Sequence, residues 1–355
     1  MGKETKFEYY TDTRLLKKII APEGNYAEYI YDPRGNITCT MLVSKTAPAG
    51  QTCAFPSTAN KIVTEATYPA AQSGQDWHCP SGVGAARCNK PLTKKDPNGQ
   101  ITQYAYDGAH GGITKITLPP PSGSIYCPSA GVVCPETRYT YTSSYYAQFK
   151  NGSGTIVNFA TPLTRLTNVS SCQTTASCLN SSDETKSVFS YGTSNVLRTT
   201  ISEGSGDGSL TATTSYTYDN IGNQLTVDGP LAGAADTTRT RYDALRRVIG
   251  VVGPDPDGAG SLKHRAQRFT YNGNSQLTVM EIGTVNSQSD PDWANFASYR
   301  QLTSTYDAAT ARKTKDVLTA SVPPVAPSTY QVVQYGYDVL GRPECHLWMA
   351  PALQA

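Results

Sequence analysis

The chain has 355 residues and a formal net charge of +2, so neither a nucleic-acid-binding nor a membrane-binding surface is implied. Charged residues make up only 16 %, and no apolar run is long enough to span a bilayer. With 23 tyrosines against 7 phenylalanines, and many threonines and valines, the composition favours strands bearing rings with a wet edge.

The N-terminus, MGKETKFEYY, has no hydrophobic signal core, and Lys6 stands where a myristoylation signal needs Ser or Thr. A strand pattern begins at Phe7, as in a chain begun inside a larger protein. The first strong local signal is YIYDPRGNI. Asp32 suits the first position of a type I turn, because its carboxylate accepts from backbone N–H groups further on; Pro33 suits the second and Gly35 the fourth. Asp96-Pro97-Asn98-Gly99 and Asp255-Pro256-Asp257-Gly258 meet the same preferences. Such a turn with a left-handed glycine closes a hairpin.

Eight of the nine cysteines follow, in local couples: Cys39 with Cys53, Cys79 with Cys88, Cys127 with Cys134, and Cys172 with Cys178. Proximity suggests this pairing, although eight cysteines allow 105 connectivities. None of the spacings is a zinc knuckle, so disulfides outweigh zinc or free thiols and point to an oxidising compartment. Cys345 is left as a free thiol or a link to another chain.

The Tyr-Asp pair recurs at Tyr31-Asp32, Tyr106-Asp107, Tyr218-Asp219, Tyr242-Asp243, Tyr306-Asp307 and Tyr337-Asp338, with Tyr271-Asn272 as a variant. Gly35, Gly222 and Gly341 complete the fuller copies, while RYDALRRV and TYDAATARK lack the glycine. From Tyr218 onward the tyrosines are 24, 29, 35 and 31 residues apart, the length of a hairpin or two with connections. Another aromatic often stands two residues earlier, at Tyr29, Tyr104, Tyr216, Phe269 and Tyr335, which puts both rings on one sheet face. Stacked units then form a tyrosine ladder, each ring covering its neighbour's backbone. The intervals from Tyr31 to Tyr106 and from Tyr106 to Tyr218 stretch to 75 and 112 residues and hold all the cysteine couples. They read as degenerate repeats with disulfide-tied insertions, and TLPPPSGS and SVPPVAPS as extended loops. A soft boundary near Gly204 separates an insertion-rich part, 1–203, from a more regular part, 204–355, within one continuous array.

These motifs resemble the YD-repeat (Rhs) family, which includes bacterial Rhs polymorphic-toxin proteins, toxin-complex shell proteins and teneurins. The resemblance rests on YIYDPRGNI, YTYDNIGNQL and YGYDVLGRP, and covers nearly the whole chain, less clearly from Tyr126 to Ser202. It implies an all-β fold of stacked antiparallel hairpins forming a curved, spiralling sheet, an open segment of a shell that encloses a toxin. No toxin or self-cleaving core follows the last repeat, so those activities have no residues here to receive them.

Candidate chemistry is sparse. His78, His110, His264 and His346 fall in no catalytic or metal motif. Asp255 and Asp257 are candidate Ca²⁺ ligands, but the spacing is not that of an EF-hand, and an Asp-capped turn is the preferred reading and explains them without a metal. The repeat aspartates recur because each turn needs one. Two readings follow: a non-enzymatic wall segment whose partners are the rest of a larger protein and a cargo polypeptide, or an extracellular adhesion or filament protein. In the second, identical chains join through open sheet edges, and exposed tyrosines offer a platform for carbohydrate. An enzyme acting on glycans ranks third, and would need a close carboxylate pair.

Overall fold

The computed structural model describes the chain except residues 1–3, 71–78, 80–81, 121–126, 128–133, 173, 175–177, 194–195, 259, 321–327 and 350–355, and describes 345–349 by backbone alone. His78, most of the two proline-rich segments, and the side chains of Cys345 and His346 therefore lie outside the described residues. The fold is all-β. Two compact units divide it: Met1–Val196 with Ser202–Thr211, and Leu197–Ile201 with Ala212–Ala355. Among the described residues no helix is long and apolar enough to cross a membrane.

In the first unit β1 (Lys6–Tyr9), β2 (Leu16–Ile20), β3 (Tyr26–Tyr31), β4 (Ile37–Val43), β5 (Lys61–Thr67), β6 (Thr93–Lys95), β7 (Ile101–Tyr106), β8 (Ile113–Thr117) and β9 (Glu136–Tyr145) pair in succession, every pairing antiparallel. A small hairpin, β10 (Gln148–Lys150) with β11 (Ile156–Asn158), stands apart from that ladder. The order then continues through β12 (Leu163–Cys172), which pairs with β9, and β13 (Glu184–Tyr191). Alternation along β4 shows how the sequence chooses faces. Cys39, Met41 and Val43 are buried while Leu42 between the last two is exposed. Val63 joins that core from β5, and Cys53 and Phe55 of the 44–60 connection pack onto it. The insertion between β4 and β5 thus supplies a cover for a core that one sheet face lacks by itself.

All four cysteine couples are disulfides: Cys39–Cys53, Cys79–Cys88, Cys127–Cys134 and Cys172–Cys178. The first and last tie a connection to the strand before it, through Cys39 of β4 and Cys172 of β12, while the other two link cysteines within the β5–β6 and β8–β9 connections; six of the eight cysteines are buried. Beside the last couple, the buried Glu184 carboxylate accepts from the Ser170 hydroxyl at 2.5 Å and the Asn180 N–H at 2.6 Å.

After β14 (Arg198–Ser205), the second unit runs through β15 (Thr211–Tyr218), β16 (Gln224–Asp228), β17 (Thr238–Tyr242), β18 (Val248–Val252), β19 (His264–Tyr271), β20 (Leu277–Val285), β21 (Ala297–Tyr306), β22 (Lys313–Ala320), β23 (Ser328–Tyr337) and β24 (Pro343–Met349). From β15 on, each strand pairs with the next, antiparallel. Its core joins Val252, Ala266 and Val285 beneath Trp293 and Phe296. Those two aromatics come from the β20–β21 connection, which contains a five-residue helix, α1 (Asp290–Ala294), that the strand patterning did not foresee. Its local signal is Ser289-Asp290-Pro291-Asp292: Ser289 accepts from the Asp292 N–H as N-cap, and Pro opens the first turn.

Candidate functional site: the tyrosine–aspartate turns

Among the described residues seven turns share one construction, beginning at Asp32, Asp96, Asn151, Asp219, Asp243, Asn272 and Asp338. In each, the first residue's N–H donates to the carbonyl four residues on, and the fourth residue's N–H donates back to the first carbonyl, all at 2.9–3.1 Å. The side-chain oxygen of the first residue accepts from the N–H groups two and four residues later, as Asp32 does from Arg34 and Asn36, both at 2.9 Å. Asp219, Asp243 and Asp338 repeat this, and the Asn272 amide oxygen substitutes for a carboxylate. The fourth residue has positive φ: Gly35 at 85°, Gly222 at 87° and Gly341 at 82°, but also Arg246 at 65° and Ser275 at 61°. The left-handed corner is kept where glycine is absent. The turns at Asp107 and Asp307 are one residue longer, with the corner at Gly111 and Ala311. Asp255-Pro256-Asp257-Gly258 differs from all of these. It lies in the β18–β19 connection, where Asp255 accepts from the Asp257 N–H at 3.3 Å and Asp257 from the Leu262 N–H at 3.0 Å.

The tyrosine ends the incoming strand just after a register shift, at Tyr31, Tyr106, Tyr218, Tyr242, Tyr271, Tyr306 and Tyr337. The bulge twists the strand there and re-aims the ring. Each hydroxyl then donates to a backbone carbonyl belonging to the preceding hairpin: Tyr31 to Leu16 at 2.8 Å, Tyr106 to Pro91 at 2.9 Å, Tyr218 to Arg198 at 2.8 Å, and Tyr242 to Gln224 at 3.0 Å. Tyr271 reaches Val248 at 2.9 Å, Tyr306 reaches Leu277 at 3.0 Å, and Tyr337 reaches Lys313 at 2.8 Å. Tyr191, outside the motif, does the same to Leu166 at 2.8 Å. The accepting carbonyl stands at or just before the start of a strand in all but the Tyr191 pair.

The ladder has a further component between hairpins. Tyr104 and Tyr106 do lie on one face, with centroids 6.4 Å apart, but between hairpins cations cover the rings. The Arg247 guanidinium sits 4.7 Å from the Tyr271 centroid, Arg312 is 5.6 Å from Tyr337, and Lys90 Nζ is 5.5 Å from Tyr106. In the second unit side chains beside the corners also join successive turns. Arg246 Nε donates to Asn223 Oδ1 at 2.9 Å, Arg247 Nη1 to the Asn272 carbonyl at 3.2 Å, and Gln276 Nε2 to the Ala311 carbonyl at 2.6 Å. Arg312 lies against Gly341, where a Cβ would collide with its guanidinium. Turn-to-turn contacts of this kind depend on which residues flank each corner, and the motif does not show them.

Electrostatics follow from the geometry. The Arg342 N–H and guanidinium hold the Asp338 carboxyl below its ordinary value. Burial pushes Asp219 and Asp243 up, but donors from Asn223 and Arg247 outweigh it and the net direction is down. These carboxylates are ionised and committed to their own turns. Among the described residues no group of three or more His, Cys, Asp or Glu side chains converges on a point where a metal could sit. Away from the turns, Asp316 accepts from Ser304, Tyr335 and Lys313 at 2.6, 2.6 and 3.3 Å. That hydrogen bond to Asp316 pushes the Tyr335 phenol up to about 12. Arg241, nine-tenths buried, holds the β20–β21 connection through the Gln288 and Ser289 carbonyls and Asp290, with Trp293 4.9 Å from its guanidinium.

Neither the known protein families nor the curated proteins contain a match to this chain. Among solved structures the chain is similar to a TcdB2-TccC3 complex without its hypervariable C-terminal region, at 14 % identity over 97 % of this chain and 17 % of that one, TM-score 0.31. It is also similar to a Photorhabdus luminescens Tc holotoxin pore, at 14 % identity over 97 % and 17 %, TM-score 0.29. The chain therefore spans 17 % of the length of these two chains.

Proposed function

We propose that this chain is a wall segment of a YD-repeat shell, a non-enzymatic scaffold that separates a cargo polypeptide from its surroundings. The observation that carries this reading is the hydroxyl bond from each motif tyrosine to the preceding hairpin. The repeated residues are spent on joining one hairpin to the next, and a device that joins identical units extends a wall without limit on length. The turn aspartates are likewise occupied by backbone N–H groups, which supports a building role for the motif. Four disulfides support an oxidising compartment for the wall, outside the cytosol.

A second reading, self-assembly into an adhesive fibre, is favoured by one observation. Among the described residues β1 pairs only with β2, and all four of its residues are exposed, Phe7 at 56 % and Tyr9 at 58 % among them. An open strand edge with exposed aromatics invites another strand. Electron microscopy of the purified chain separates the two readings. Discrete curved sheets or hollow particles support the wall; regular filaments that lengthen with concentration overturn it.

A further inference from the structure

Two strands of the first unit outrun their neighbours. Among the described residues β9 pairs with β8 only through Glu136, Thr137 and Arg138, and β12 pairs with β13 only from Asn168 to Cys172. Beyond those residues β9 and β12 pair with each other, and the small hairpin of β10 and β11 prolongs them. The result is a two-stranded arm. Its base rests on Tyr191, whose ring meets that of Tyr145 at 5.2 Å between centroids and whose hydroxyl donates to the Leu166 carbonyl. None of the Tyr-Asp repeats falls within the arm, so the ladder that joins hairpins leaves it unexplained.

The arm keeps its polar groups to itself. Gln148 Nε2 donates to Asn158 Oδ1 at 2.8 Å, the Ser143 and Thr164 hydroxyls bond at 2.7 Å, and those of Thr142 and Thr167 at 3.2 Å. At the tip the N–H groups of Asn151, Ser153, Gly154 and Thr155 all have acceptors within the turn. What the arm offers to its surroundings is apolar: Phe149, Ile156 and Phe159 are 43 %, 67 % and 52 % exposed. Phe149 stands opposite Val157, and Ile156 opposite Lys150, so Phe149 and Ile156 leave the hairpin by opposite faces. Charge is as one-sided. No Asp or Glu stands between Glu136 and Asp183, while Arg138, Lys150 and Arg165 do, an imbalance that the net charge of the whole chain conceals.

We infer that this arm dips its tip into an anionic lipid surface, with Phe149, Ile156 and Phe159 entering the boundary between headgroups and acyl chains and Lys150 resting against lipid phosphate. Lipid suits the arm because it surrounds the tip. A protein groove covers one face of a hairpin and would leave either Ile156 or the phenylalanines in water. A partner strand would find edges only three residues long in β10 and β11. Leaving water costs most where polar groups lose their partners, and here the turn and the cross-strand pairs bring theirs along. A segment without carboxylates meets no repulsion from anionic headgroups, and its cations are drawn to them. The inference holds whether the chain builds a wall or a fibre.

The test is flotation of the full chain with vesicles of phosphatidylcholine alone and of phosphatidylcholine mixed with phosphatidylglycerol. The chain is expected to bind the mixed vesicles at least about fivefold more tightly than the neutral ones, and more weakly as salt is added. The triple variant Phe149→Ser, Ile156→Ser, Phe159→Ser binds them at least about tenfold more weakly, and Lys150→Gln by about threefold. These side chains are exposed on a hairpin outside the main ladder, so both variants keep the wild-type thermal transitions. Phe159→Trp reports insertion directly, because brominated lipid quenches its emission beyond the loss seen in the wild type. Absence of binding to the mixed vesicles, equal binding to the two vesicles, or equal binding by the triple variant each overturns the proposal. A triple variant that fails to fold leaves the decision to Phe159→Trp, and without the extra quenching the proposal falls. Self-association of the wild type that the triple variant loses, with no vesicle binding by either, overturns it in favour of a second copy of this chain.

Discussion

The hydroxyl of Tyr242 at the end of β17 donates to the carbonyl of Gln224 at the start of β16, 3.0 Å away. The ladder between these strands is short, with Thr226 opposite Arg239 and Val227 opposite Thr238. One side-chain bond therefore closes a gap that backbone pairing leaves open. Tyr242→Phe keeps the ring and removes only the donor. It is expected to cost about 1 kcal/mol, seen as a lower urea midpoint with an unchanged slope. An unchanged midpoint would mean that water replaces the hydroxyl without loss.

Left-handed corners without glycine are a built-in strain. Ala311 sits at φ 57° in the Asp307 turn. Its replacement by glycine, Ala311→Gly, is expected to stabilise the second unit by up to about 1 kcal/mol, and Gly222→Ala to destabilise it by a similar amount. Opposite signs in thermal denaturation of the two variants are the check; the same sign in both would show that the corner is relaxed in solution.

Tyr335 is expected to ionise near pH 12, because deprotonation would set a phenolate against the Asp316 carboxylate. Its folded-state value is raised, so the bond contributes stability below the unfolded value of about 10 and loses it as pH rises through the folded value. The turn aspartates run the other way: lowered in the fold, they stabilise above the unfolded value near 3.8, and that contribution disappears as pH falls below it. Absorbance titration of the wild type and Asp316→Asn checks the first statement, with the late phenol step moving down in the variant. An acid unfolding curve checks the second, with Asp338→Asn less sensitive to pH below 4.

All four disulfides belong to the first unit. Non-reducing peptide mapping is expected to recover the four local pairs. Reduction is expected to lower the melting temperature of the first unit, each short loop contributing about 2–3 kcal/mol, and to leave the second unit's transition in place. Equal loss in both transitions would show that the units melt as one.

The all-β class and the hairpin corners were legible in the sequence because their causes are local. Asp at the first position, Pro at the second and a left-handed fourth residue act within five residues, and Tyr-x-Tyr at period two fixes a face without reference to the rest of the chain. Proximity of cysteines in sequence likewise limited which thiols could meet. What the tertiary structure decided is where each group's partner lies. Tyr242 and Gln224 are 18 residues apart; Arg247 and the Tyr271 ring are 24 apart. The sequence suggested a tyrosine ladder, each ring covering its neighbour's backbone; which carbonyl each hydroxyl reaches, and the cations over several rings, came from the fold. The reason is the register shift before each motif tyrosine, which turns the ring toward the preceding hairpin, and a bulge is set by strand pairing. Trp293 over Gly250 has the same origin, since side chains from non-adjacent segments meet only when the strands between them have aligned. Local chemistry wrote the corners; strand register chose the contacts.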